Sequence, residues 1–290
     1  RCRLVFLPYP YLTVAVPTAP PQLDIELLPT FMPRPNATHV VFDFDGTLSW
    51  IRHGWPEIMQ QVIGPQLTLQ PGETASDIRS HLFNEMYRFN GQPTPVFMAE
   101  MAKQITERGN TADPDELLNA FIAPLDAMAD ERHRQLREGE TRPDELIVHG
   151  GRALIEHLHT HGLKTFILSG NPHAQINLEA DLLDLTRYCE GRIQGHVHAD
   201  NFSKQTVLEQ WMAEDKFTGE NLVMFGDGTA EIKATNNLHG LTIGVCTDEH
   251  TNGSGILDTN KKAVLLDANA DALIADFRNP ELLTDLILGL

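Results

Sequence analysis

Cysteine is scarce in this chain. Three occur, Cys2, Cys189 and Cys246, an odd number at wide spacing. That excludes a disulfide framework or a zinc knuckle, and it makes a reducing cytoplasm the expected setting. Positive charge is scarce too. The 22 Lys and Arg stand against 40 Asp and Glu, a formal net charge of −18. A surface this acidic repels nucleic-acid backbones and anionic lipid, so neither is an expected partner. No apolar run approaches the roughly 18 residues that a membrane span needs. The apolar start, RCRLVFLPYPYLTVAV, is broken by Pro8 and Pro10 and lacks a signal-peptide cleavage pattern. No internal repeat is present. The chain opens with Arg rather than Met, as a fragment or a processed form would.

What is present is a composition able to build a core: 290 residues, 41% hydrophobic, enough for one large domain or two smaller ones. Residues 1–38 are proline-rich, with β-like runs at Leu12–Val16 and Leu23–Leu28. They read as an N-terminal arm or linker, or alternatively as an edge strand pair. A short apolar strand, His39-Val-Val-Phe42, follows. From about 54 to 145 apolar residues recur at helical spacing in Trp55–Ile63, Ala75–Phe89, Val96–Thr106 and Pro114–Leu136, which predicts an all-helical insert. Beyond it strands and helices alternate. Helices are expected at Gly150–Gly162, Pro172–Leu183, Lys204–Glu214, Thr229–Leu238 and Pro280–Leu288. Strands are expected at Lys164–Leu168, Arg192–Val197, Leu222–Phe225, Thr242–Val245, Ala263–Leu266 and Ala272–Ala275. This alternation predicts right-handed βαβ units and a doubly wound α/β parallel sheet, with ligands bound beyond the carboxyl ends of the strands.

Four features fall where that rule puts a site. The first is Asp43-Phe44-Asp45-Gly46-Thr47, directly after the apolar strand. Carboxylates at i and i+2 repel, and a cation relieves the repulsion. One can then attack phosphorus while the other shuttles a proton. A polar turn capping a strand is the plain alternative. The second is Ser169-Gly170-Asn171-Pro172, where a strand is expected to pass into a helix. The Ser169 hydroxyl and the amides at a helix start can donate to phosphate oxygens, although Ser169 or Asn171 could equally serve as a cap.

The third is Lys204, opening a helix. The helix N-terminus is already positive, so a lysine there makes sense if it faces an anion; a surface lysine is the ordinary alternative. The fourth is Gly226-Asp227-Gly228-Thr229-Ala230-Glu231, whose two acids, four residues apart, can turn to one side of a helix. Carboxylates of this kind suit a hard cation such as Mg²⁺. The same two acids could also simply cap the helix.

Taken in order, the four resemble the motifs of the haloacid dehalogenase-like superfamily. The match covers about residues 39–53 and 146–290 and is strongest at DFDGT and GDGTAE. The resemblance implies a Rossmann-like core with a helical cap over 54–145. It implies Asp43 as the nucleophile that is transiently phosphorylated, and Asp45 as the general acid/base whose backbone carbonyl also meets the metal. Ser169 would bind the transferred phosphoryl, and Lys204 would stabilise nucleophile and phosphate. Asp227 would complete a Mg²⁺ site with Asp43. Glu231 stands where the family often has Asp, which leaves open whether it binds metal directly. Asp45 separates phosphatases and phosphomutases from the superfamily's dehalogenases and transport ATPases. A phosphonatase needs a cap lysine, and Lys103 is the only lysine in the insert.

Thr47, Gly170 and Asn171 join Ser169 as expected phosphate-binding positions. Arg52 and His53, in the run Trp50–Trp55 that enters the insert, are expected to contact substrate, or else to form a packed hinge. His157 and His161 could pair on zinc, but a solvated helix end fits them better. His196 and His198 read as polar positions near Lys204. The expected function is Mg²⁺-dependent hydrolysis of a small phosphorylated metabolite, with sugar phosphates, phosphoglycolate and nucleotides all open. A phosphomutase of the same superfamily, and a non-catalytic phosphate-binding module of a larger protein, are the alternatives. Oligomeric state is not legible.

Overall fold

The computed structural model describes residues 25–89, 93–198 and 202–290. The chain runs β1 (Ile25–Leu27), β2 (His39–Phe42), and then four helices, α1 (Trp55–Ile63), α2 (Ala75–Arg88), α3 (Thr94–Glu107) and α4 (Pro114–Glu138). It returns as α5 (Gly151–Thr160), β3 (Lys164–Pro172), α6 (His173–Leu182), β4 (Ile193–His196), α7 (Lys204–Asp215), β5 (Leu222–Gly226) and α8 (Thr229–Asn237). The last elements are β6 (Leu241–Val245), α9 (Thr259–Asp267), β7 (Ala272–Ile274) and α10 (Pro280–Leu288).

The sheet has seven strands in the order β1-β7-β6-β5-β2-β3-β4, parallel except for β1, which pairs antiparallel with β7. Both faces are covered, and the strands show it. Along β2, Val40 and Phe42 enter the cluster built with Leu154 and Leu158 of α5 and Ile176 of α6. Val41 enters the opposite cluster with Leu208 and Trp211 of α7. Alternate residues of one strand thus meet two helical layers, which is why Val40, Val41 and Phe42 form an unbroken apolar run. The chain builds β2, β3 and β4 outward on one side and then crosses to β5, β6 and β7 on the other. The order reverses at β2, so the crevice for a ligand opens at its carboxyl end, where Asp43 begins.

Helices α1–α4 have an apolar cluster of their own, around Met59, Leu82, Met101 and Phe121, and form the inserted all-helical cap. The long α4 also reaches the sheet layer, since Ala129 belongs to the core cluster.

Three expectations need correction. Residues 263–266 form part of α9 and not a strand. Lys261 and Leu265 are its buried positions, at i and i+4, Ala268 at its C-cap continues the same face, and the Asp258 side chain caps it by accepting from the Asn260 and Lys261 amides. Ile25–Leu27, within the segment read as an arm or alternatively as an edge strand pair, is an edge strand of the sheet, so the plain arm reading does not hold there; the run at Leu12–Val16 lies outside the described residues. Finally, β3 does not stop at Leu168. It continues to Pro172 through a register shift against β4, so Ser169, Gly170 and Asn171 sit on a strand extension and α6 starts only at His173. The Gly170 amide is therefore not a helix-start amide.

Candidate active site

Asp43 follows the last residue of β2, and its amide donates to the Phe225 carbonyl of β5 at 2.8 Å. That bond holds the two central strand ends level and brings Asp227, which follows β5, beside Asp43. One carboxylate oxygen each from Asp43, Asp227 and Glu231 lies within 4.8 Å of the others, and all three residues are buried.

Lys204 explains how such a cluster survives burial. It is the first residue of α7, whose cap is the Ser203 side chain. Its ammonium donates to Asp43 Oδ1 and to Glu231 Oε2, both at 2.8 Å, with 5% of its surface exposed. This is a buried, anion-facing lysine and not a surface one. Burial alone would lower its pKa, but the two carboxylates overcome that and keep it charged. Glu231 is doubly engaged, because its Oε1 also accepts from the Gly228 amide at 2.6 Å and so closes the first turn of α8. Its carboxyl is driven up by burial but brought below its ordinary range by Lys204.

A second buried lysine stands on the far side. Lys261 of α9, with no exposed surface, lies 3.0 Å from Asp227 Oδ2 and 2.5 Å from Glu249 Oε1. It also donates to Thr247 Oγ1 at 2.7 Å, and that hydroxyl donates to the Gly46 carbonyl at 2.9 Å. Four carboxylates (Asp43, Asp227, Glu231, Glu249) therefore gather around two ammonium groups, so acids outnumber bases in this cluster. Burial and this mutual repulsion push Asp43 well above the usual carboxylate range, and Asp227 up to about 6, against the pull of the lysines. An all-oxygen, net-negative set of this kind fits a hard divalent cation. Asp43 and Asp227 are the residues to hold one, because both oxygens of Glu231 already serve Gly228 and Lys204.

Asp45 turns its carboxylate elsewhere. It accepts from Arg52 Nη1 at 3.1 Å and from Asn171 Nδ2 at 2.5 Å. The metal role expected of Asp45 thus rests on its main-chain carbonyl alone. Burial, together with nearby Glu179, raises its pKa despite Arg52. Arg52 is itself buried and also forks onto Glu179 of α6, Nη1 to Oε2 and Nη2 to Oε1, both at 2.5 Å. His133 of α4 meets the same carboxylate at 3.0 Å. Arg52 lines the cavity, but its guanidinium is committed to protein carboxylates.

The expected substrate contacts divide. Asp43, Asp45, Arg52, Ser169, Gly170, Asn171, Lys204 and Asp227 line one cavity of about 440 Å³. Thr47 and His53 do not. Thr47 is fully buried and its hydroxyl has no partner among the described residues. His53 stacks on Trp50, with Nδ1 against the Trp50 carbonyl, and Arg132 of α4 donates to the Ile51 and His53 carbonyls. It belongs to the hinge between core and cap. Lys103 is exposed and pairs with Glu100 and Glu107, away from the cavity, so it is not placed to form a phosphonatase imine. His196 lines the cavity, with a buried Nδ1 that lacks a partner among the described residues. His157 and His161 pack on each other at a solvated helix end.

Sequence reasoning missed Glu179, His133, Glu249 and Lys261. Only Lys261 carried a signal, its helical phase with Leu265 and Ala268.

A doubly wound core, a helical cap and a lysine-braced carboxylate centre at the switch point define a class of hydrolases with an α/β fold. Residues 37–239 match the model of the haloacid dehalogenase-like hydrolases, and the chain belongs to that family. Among solved structures it is similar to a predicted phosphatase from Clostridium acetobutylicum, with TM-score 0.57 and 17% identity over 88% of this chain and 99% of that one. It is also similar to a conserved haloacid dehalogenase-like protein of unknown function from Agrobacterium tumefaciens, with TM-score 0.60 and 15% identity over 85% and 97%. A third is a family hydrolase from Deinococcus radiodurans with bound phosphate and sodium, with TM-score 0.56 and 16% identity over 87% and 97%. At such identities the likeness is one of fold. No curated protein matches the chain. Among the described residues no helix is long and apolar enough to cross a membrane.

Proposed function

We propose that this hydrolase is a magnesium-dependent phosphatase that cleaves a small phosphate monoester through a phosphorylated Asp43. The observation that carries the reading is the Lys204 ammonium, buried and bonded to both Asp43 and Glu231. A lysine so placed restrains the nucleophile and presents fixed positive charge to an incoming phosphoryl group.

Asp43 attacks phosphorus in line, forming the Oδ–P bond as the ester P–O bond breaks. Asp45 gives its proton to the departing alkoxide. Its raised pKa favours the protonated form that this step uses. Asp45 then takes a proton from a water that attacks phosphorus, which frees Asp43 and inorganic phosphate. Ser169 and Asn171 line the same cavity as Asp43 and are the polar residues that would border the phosphoryl group. Asp43 and Asp227 would hold the cation, which when bound would neutralise charge on the phosphoryl oxygens. The partner is a phosphorylated small molecule. The buried thiols of Cys189 and Cys246 fit a reducing compartment.

The reading is tested with an aryl phosphate, with and without Mg²⁺, followed by acid quench and peptide mapping. Mg²⁺-dependent phosphate release and a base-labile phosphoryl group on the Asp43 peptide are expected. No turnover, combined with no beryllium fluoride adduct, would end it.

A further inference from the structure

The cavity has two unlike halves. Its floor is the charged strand-end cluster, which on the phosphatase reading takes the phosphoryl group. The leaving group must then lie against the cap. That roof is built from Trp55, Phe89, Phe97, Leu118, Phe121 and Ile122, with further methionine, leucine and proline side chains. These are not merely the cap's interior seen from outside. Phe97 and Phe121 are buried in the cap cluster, but Trp55, Phe89, Leu118 and Ile122 are only partly buried and keep apolar surface open where they line the cavity.

Among the described residues the cap side of the cavity has no Lys, Arg or His. Its polar groups are the Trp55 indole, the Thr94 hydroxyl and the exposed Asp126 carboxylate.

This division selects the alcohol. A leaving group with its own carboxylate, as in phosphoglycolate, needs a cation at the roof and meets Asp126 instead. A polyhydroxylated sugar would bury hydroxyls against rings and aliphatic chains. Each hydroxyl left without a partner costs on the order of tenfold in binding. An apolar ring loses nothing of this kind and gains by leaving water for an aromatic-lined wall. A volume of about 440 Å³ is within the range of small-molecule sites and admits a ring with a short linker to the phosphate.

We propose that the substrate is the phosphate monoester of an uncharged, ring-bearing apolar alcohol. The proposal rests on the phosphatase reading for the placement of the phosphoryl end, and two measurements keep the two apart. The first is calorimetric binding, with Mg²⁺ present, of 3-phenylpropylphosphonate and 3-phosphonopropionate, which imitate 2-phenylethyl phosphate and phosphoglycolate without being hydrolysed. The phenyl ligand is expected to bind on the order of 30-fold tighter, the effect of burying one ring. Equal or reversed affinities, or no binding of the phenyl ligand, would overturn the proposal.

The second is kcat/KM for 2-phenylethyl phosphate, phosphoglycolate and glucose 6-phosphate, three alkyl esters with unactivated leaving groups. The phenyl ester is expected to lead by a similar factor, and a lead by either polar ester overturns the proposal. Absence of all turnover, with the binding preference intact, upholds the ligand class and sinks the hydrolase reading alone.

Discussion

Lys261 and Asp227 form an ion pair at 3.0 Å with the lysine wholly out of solvent, and Glu249 closes the other side of the ammonium at 2.5 Å. Removing one partner of a buried pair strands the others without compensation, at a cost of about 3–5 kcal/mol. Lys261→Met keeps most of the side chain's volume and deletes the charge. Urea unfolding at neutral pH should show a loss of that order. A change under about 1 kcal/mol would mean that Asp227 and Glu249 find water or protons instead.

The Asp43–Gly46 turn depends on its glycine. Gly46 has φ +72°, and a Cβ there would stand 2.2 Å from Asp227 Oδ2. Gly46→Ala adds backbone strain of about 1 kcal/mol and, more consequentially, drives the Asp227 carboxylate from its position. Mg²⁺ titration followed by calorimetry should show affinity reduced on the order of tenfold or more, because the cation loses a placed ligand. Unchanged Mg²⁺ affinity would remove Asp227 from the cation site.

The parts that could be read from the sequence are those whose cause is local. Val40, Val41 and Phe42 are apolar at three successive positions because both faces of β2 are covered, so the acids after them had to lie at a strand end. The spacing of Asp227, just before α8, and Glu231, in its first turn, put both acids at the start of that helix. The two lysines show where local reasoning stops. Lys204 announced itself by sitting at a helix start, where its charge is unfavourable. Lys261 sits in Asn260-Lys261-Lys262, which looks like ordinary solvated charge. Its burial depends on Asp227 and Glu249 arriving from other loops. Misreading 263–266 as a strand hid the helical phase that places Lys261 inward. Glu179 was likewise invisible, because its partner Arg52 is 127 residues away.

The two motif aspartates should separate by kinetic signature. Asp43→Asn removes the attacking oxygen's charge in a side chain of the same shape. It should lower turnover by on the order of a thousandfold or more while leaving the thermal midpoint near wild type. Asp45→Ala should still accept a phosphoryl group from an activated aryl ester but should both slow phosphorylation by alkyl esters and prolong the phosphoenzyme. Rapid-quench measurement of the two half-reactions distinguishes them. Wild-type rates for either variant would strip that residue of its role.

Glu179 should give the fold a measurable pH dependence. Burial acts to raise its pKa, but hydrogen bonds from His133 and Arg52 outweigh burial and hold it below its ordinary 4.5. The groups facing it are Arg52 from the hinge, His133 from α4 and, through Arg52, Asp45. With the pKa depressed in the folded state, the unfolded chain binds more protons near pH 4.5. The stabilisation is complete above that value and is lost as pH falls through the lower folded one, with a slope of up to about 1.4 kcal/mol per pH unit. The raised carboxyls of Asp43 and Asp227 work in the opposite direction and do not depend on Glu179, whereas that of Asp45 is raised partly by Glu179 itself. Glu179→Gln removes this titration and, by deleting a neighbouring negative charge, also brings Asp45 down towards its ordinary range. Urea midpoints measured from pH 7 down to 3 should therefore start lower for the variant and converge with wild type at the acid end. Parallel curves across the whole range would show that the Arg52–Glu179 pair contributes nothing through charge.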